Sequence, residues 1–219
     1  MPGHSDSVPY AIKIGFTAFM LVMVPCYWYT YGLTNFLFYC DLALFFTLAA
    51  VWTGNPLWAS MPAVGILLPQ VVWIVEFLVS LAGHPLLGVT GYMFDERKSL
   101  FMRSLSLFHI WLPALLVYLL YRLGYDRRAY TAWIVLAIPV QTVSYLLLPP
   151  PPSSAENPMA PANVNLAHGL SSEAPQPWLP PDLWFLATLV ILVGVICWPT
   201  HLLLGRLFGP DGKYGSRAT

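Results

Sequence analysis

Six stretches of about twenty residues pass almost without charge: 10–31, 33–53, 57–82, 100–121, 129–148 and 182–204. A helix needs about 20 largely apolar residues to cross the hydrocarbon core of a bilayer. Six such runs in one chain predict an all-α, polytopic membrane protein, a bundle of six transmembrane helices. Only 9% of the 219 residues are charged, where a soluble domain carries about 25%, so residues 1–219 read as a single integral membrane domain. Ten Lys and Arg balance ten Asp and Glu, which leaves no basic surface for nucleic acid.

Gly32 and Trp52-Thr-Gly-Asn-Pro56 mark tight turns on either side of the second run. Pro25, Pro62, Pro69, Pro113 and Pro139 fall inside runs, where neighbouring helices can satisfy the freed carbonyls. Two loops are longer. One, 83–99, carries Gly83, Pro85, Gly88 and Gly91 and then Asp95-Glu-Arg-Lys98; the other, 149–181, is Pro-rich and reads as irregular coil, a linker or an outer lid built on Asn163, Asn165 and His168. Cys26, Cys40 and Cys197 are an odd number in apolar surroundings, with no C-x-x-C pair, so neither a disulfide framework nor a zinc site is expected. No cleavable leader is read at the start. With six spans, Lys13, Arg122, Arg127, Arg128, Arg206, Lys213 and Arg217 share one side and Arg97, Lys98 and Arg103 the other. Seven against three predicts that both termini are cytoplasmic.

Ionisable side chains inside a membrane are costly, and each is a functional candidate. Asp41, Glu76 and His109 are the three deepest, and Cys40 adjoins Asp41. Counted from the outer ends of their helices, Cys40, Glu76 and His109 each lie seven or eight residues in, about 10–12 Å at 1.5 Å per residue. Gln141 and Ser144 approach the same layer, and Gln70 and Asn35 add uncharged polarity. A thiol beside an imidazole can become a thiolate, and a carboxylate that orients the ring completes the grammar of nucleophilic acyl transfer. The plainer reading is a polar layer that holds helices together with no chemistry.

Six segments carry a resemblance to known proteins: TNFLFYCDLAL (34–44), AVGILLPQ (63–70), GYMFD (91–95), SLFHIWLP (106–113), RLGYDRR (122–128) and PTHLLLGRLF (199–208). Over nearly its whole length the chain resembles an uncharacterised family of bacterial membrane-associated proteins of planctomycete type, which implies no activity. More remotely, its first five spans are similar to the YwaF-type integral membrane proteins and related polytopic lipid acyltransferases. That resemblance implies a Cys early in one helix and a His early in a later one, and Cys40 and His109 stand at the matching places.

The expected activity is transfer or hydrolysis of a lipid acyl ester. Cys40 is the expected nucleophile, His109 the base, Asp41 or Glu76 the ring-orienting or proton-donating carboxyl, and Gln141 or Asn35 the oxyanion donor. Gln70 and Ser144 join the substrate-binding set. The scheme needs no metal or cofactor, and its partners are membrane lipids, with a second copy or a membrane complex compatible. The alternative is a non-enzymatic protein, either a small transporter or a structural subunit of a membrane complex.

Overall fold

The computed structural model describes residues 8–152, 159–171 and 173–214. Ser154 to Asn157 of the Pro-rich loop and Arg217 lie outside them. Every regular element among the described residues is helical. In chain order these are α1 (Tyr10–Tyr31), α2 (Tyr39–Thr53), α3 (Pro56–Leu81), α4 (Leu100–Leu105), α5 (Phe108–Leu123), α6 (Ala129–Leu147), α7 (Pro181–Val190) and α8 (Trp198–Phe208). α7 and α8 are joined without a break by a π-helical turn, Ile191–Cys197.

Five helical stretches are long and apolar enough to cross a membrane: Tyr10–Tyr31, Pro56–Leu81, Leu100–Leu123, Ala129–Leu147 and Pro181–Phe208. The second expected span, 33–53, is not one helix. Gly32 leaves α1 at φ 83°, residues Leu33–Leu37 form a 3₁₀ turn, and Phe38 is extended (φ −61°, ψ 134°), so α2 starts only at Tyr39. Its fifteen residues span about 22 Å, short of the roughly 30 Å core. The fourth run is also interrupted, between α4 and α5 at Ser106 and Leu107.

α3 is the axis of the bundle. It packs on α2, α5 and α6, and on the last helix through the π-helical turn and α8; α7 packs on α6 instead. Asn55 caps the start of α3, its side chain accepting from Leu57 N at 2.9 Å, with Pro56 in the first turn, where no N–H is missed. The buried face of α3 uses small residues, Ala59, Ser60, Ala63 and Gly65. They let large side chains from neighbours approach the backbone, as in other membrane helix pairs. Trp133 of α6, fully buried, lies directly over Gly65. It also meets Tyr39 at 5.9 Å and Phe46 at 6.2 Å between ring centroids, which ties α2, α3 and α6 together.

A methyl group on Gly65 would overlap the Trp133 indole. Gly65→Ala is therefore expected to lower stability by about 1–3 kcal/mol through overpacking, read as a drop in melting temperature in detergent, with Gly15→Ala, whose methyl meets nothing, as the silent control.

Candidate functional site

A cavity of about 290 Å³ lies between the middle of α3, the start of α2, α5, α6 and the last helix. Cys40 and His109 both line it, with Gln70, Gln141 and Asn165 as its other polar members and Ile66, Trp184, Ile191, Leu192 and Ile196 among its apolar wall. Two residues that only their depth relates in the sequence thus share one chamber. No hydrogen bond joins them among the described residues.

The break between α4 and α5 sets how the histidine ring is held. Ser106 closes α4, and its carbonyl accepts both the His109 backbone N–H at 3.2 Å and the His109 ring at 2.7 Å. A carbonyl only accepts, so Nδ1 carries the proton and Nε2 keeps its lone pair. Nε2 meets no partner among the described residues. The ring is clamped between Phe108 (4.1 Å) and Trp73 (4.5 Å). The group that orients the imidazole is therefore the Ser106 carbonyl, not Asp41 or Glu76.

The two carboxylates have other engagements. Glu76, 1% exposed, is wrapped by the loop that follows α3: Leu86, Leu87 and Gly88 donate their backbone N–H groups to it at 2.7–3.2 Å. Three successive N–H donors form a nest for an anion, and Glu76 turns the Gly83–Gly88 segment back onto the bundle. Asp41, in the first turn of α2, accepts from Asn35 Nδ2 at 2.8 Å, while its Oδ1 is buried without a partner among the described residues. Asn35 is thus committed to Asp41 and does not face the cavity as an oxyanion donor. Gln141 is committed too. Its Oε1 accepts from the Tyr39 hydroxyl at 3.0 Å, and its Nε2 donates to Thr188 at 3.1 Å and to the Asn165 carbonyl at 3.4 Å. Ser144 bonds back to Val140 O at 2.8 Å and receives Asn165 Nδ2 at 3.5 Å. It braces the lid and is not among the cavity residues.

Gln70 differs from the other carboxamides. It lines the cavity, is 2% exposed, and its Oε1 has no partner among the described residues.

The Pro-rich connection closes the chamber. Asn165 Oδ1 accepts the first N–H of α2, from Tyr39, at 3.0 Å, and its Nδ2 donates to Leu37 O at 2.9 Å. Trp184 Nε1 donates to Leu166 O at 3.0 Å. Asn163, Asn165 and Leu166 hold φ between 52° and 59°, a left-handed conformation uncommon outside Gly and Asn. Asn163 stabilises it by donating to Gly169 O and Ser171 O and by accepting from His168 N. Leu166 and Leu170 present apolar side chains to the chamber. Of the two readings open for this loop, its described part, 159–171, forms a packed lid.

Sequence reasoning missed Tyr92, Ser106 and Tyr27. The Tyr27 hydroxyl bonds Ser106 Oγ at 2.6 Å. The Tyr92 hydroxyl comes from the outer loop to face Ser106 and Trp73, and its burial, with Cys40 and Asp41 nearby, raises its pKa, keeping it a proton donor. Only the GYMFD segment pointed there, by likeness and not by chemistry.

Asn165→Ala removes both bonds to the start of α2 and leaves Leu37 O and Tyr39 N unmet. A loss of about 1–3 kcal/mol per buried unmet group is the scale. The expected result is faster amide exchange in residues 159–171 and at Tyr39, with α5 unchanged. Comparison with protein-family models, curated proteins and solved structures finds no match to this chain.

Proposed function

We propose that this protein is a membrane-embedded enzyme acting on lipid acyl esters, by transfer or hydrolysis. One observation carries the reading: the Cys40 thiol and a histidine whose Nε2 is unengaged open into the same largely apolar cavity. The remote likeness to YwaF-type proteins and lipid acyltransferases at Cys40 and His109 points the same way.

In this mechanism His109 Nε2 takes the Cys40 proton, and the thiolate attacks the ester carbonyl carbon. The ester C–O bond breaks and the alkoxide leaves with the proton that His109 holds. The acyl group stays on Cys40 as a thioester. A second alcohol, or water, then gives its proton to His109 and attacks, releasing the acyl product and returning the thiol. Cys40 stands in the first turn of α2, where helix N–H groups favour a developing negative charge. Asp41 and Glu76 take no direct part. Asp41 with Asn35 shapes the start of α2, and Glu76 holds the outer loop.

The rival is a non-enzymatic membrane protein, in which the polar layer joins helices. It is favoured by the missing hydrogen bond between Cys40 and His109 and by the saturation of Glu76. In either case α2 counts as a short sixth segment, which returns both termini to one side. The seven-to-three bias of Lys and Arg makes that side the cytoplasm.

A thiol-reactive lipid analogue decides between the readings. Cys40 is expected to label at least about tenfold faster than Cys26, and His109→Ala to remove the difference while the melting temperature holds within what one buried hydrogen bond contributes, about 1–3 kcal/mol. Cys40→Ser is expected to end turnover, because a hydroxyl at its ordinary pKa is a far weaker nucleophile. Equal labelling of Cys40 and Cys26 in folded protein would leave the rival standing.

A further inference from the structure

Three observations bear on what the chamber accepts. The first concerns charge. No Asp, Glu, Lys or Arg lines it among the described residues, and the nearest carboxylate on α2, Asp41, is turned toward Asn35. A phosphate or a free carboxylate would lose its water there and find no cation. His109 Nε2, an acceptor in the tautomer that the Ser106 carbonyl selects, would oppose an anion.

The second concerns the one unengaged carboxamide. Asn35, Gln141 and Asn165 have all committed their N–H groups, to Asp41, to Thr188 and to Leu37. Gln70 has committed neither end to any described residue. A buried amide left so is costly, and it offers a ligand an N–H donor and a carbonyl acceptor side by side. In the same chamber His109 offers an acceptor for a hydroxyl.

The third concerns size and access. At about 290 Å³ the cavity stands at the lower end of ligand pockets, roughly 300–1,000 Å³, with room for a small headgroup, the ester and the start of one chain whose remainder stays outside, and too little for a two-chain lipid with its headgroup. The last helix packs on α3 chiefly through the π-helical turn and α8, while α7 leans on α6. α3 and α7 are thus the more loosely joined stretch, and Ile191, which lines the chamber, is also 44% exposed. The lid bonds to Leu37, Tyr39 and Trp184 across the outer end.

We propose that the chamber takes an uncharged, single-chain acyl ester bearing a free hydroxyl, of the monoacylglycerol type, drawn sideways from the bilayer past Ile191. Gln70 donates to its ester carbonyl, and its hydroxyl faces His109. This rests on reading the cavity as the acyl site, and it is tested by binding without turnover.

The full-length Cys40→Ser protein in detergent is mixed with monoolein and oleate at equal concentration, at pH 8, and bound lipid is counted by native mass spectrometry. One monoolein adduct is expected, favoured over oleate by about tenfold or more. Gln70→Leu is expected to weaken it by about tenfold, the upper range of one net hydrogen bond; Gln70→Met serves if the leucine variant fails to fold. Ile191→Trp, at the mouth, is expected to remove the adduct while monoolein still dissolves in the micelle. Equal binding of oleate, no adduct at all, or an adduct indifferent to Gln70 in folded protein would overturn the proposal. Selective monoolein binding in a wild-type protein that never forms a thioester on Cys40 would overturn the catalytic reading and leave this one intact.

Discussion

α2 starts inside the bundle, and a helix that starts there has a debt of unmet N–H groups that hydrocarbon cannot settle. Asn165 meets the first of them from 126 residues away, and the Phe38 carbonyl takes those of Asp41 and Leu42. Its side chain bonds the chain on both sides of Phe38, accepting from Tyr39 N and donating to Leu37 O. That single residue decides where α2 begins, how Tyr39 and Cys40 face, and where the Pro-rich connection must lie. The Tyr39 hydroxyl then reaches Gln141 and the Ala137 carbonyl, and Gln141 reaches the last helix at Thr188. The cavity is the space this chain of bonds encloses.

A similar economy governs the histidine. The interruption at Ser106 and Leu107 leaves a carbonyl without a full set of helical donors, and the His109 ring takes it. Selection of a tautomer follows from backbone geometry alone. A carboxylate in the same place would also orient the ring but would bring a second buried charge, which the membrane penalises. The two carboxylates that are present are each absorbed elsewhere, one by an amide side chain and one by three backbone N–H groups.

The long apolar runs were legible because nothing but a helix can carry twenty such residues through lipid, and α1, α3 and α6 begin and end within a few residues of the expected bounds. The shortened α2 was not, since Leu33, Phe36 and Leu37 read alike in an α-helix and in a 3₁₀ turn. Cys40 and His109 do line one chamber, but not by the expected count, since Cys40 is the second residue of α2 and not seven residues into a helix. Counting residues said nothing of azimuth, and Glu76 faces a loop instead. Asn35 and Gln141 were read as free donors because a sequence lists polar groups without their partners. Asn165 drew notice only as a loop residue, and its role required a left-handed backbone that no local spacing announces.

The π-helical turn at Ile191–Cys197 has a further consequence for the last helix. Its i→i+5 bonding carries an extra residue, so the angular phase of the helix changes there. The stretch before it and the stretch after it obey separate clocks. Upstream, the inward residues Trp184 and Thr188 are set to meet the lid and α6; within the turn and beyond it, Leu192, Cys197 and Leu204 are set to meet the core. One continuous helix thereby serves two sets of neighbours that a single helical period could not address together, and a deletion of one residue within 191–197 would turn one set of side chains away from its neighbours by about a quarter of a revolution.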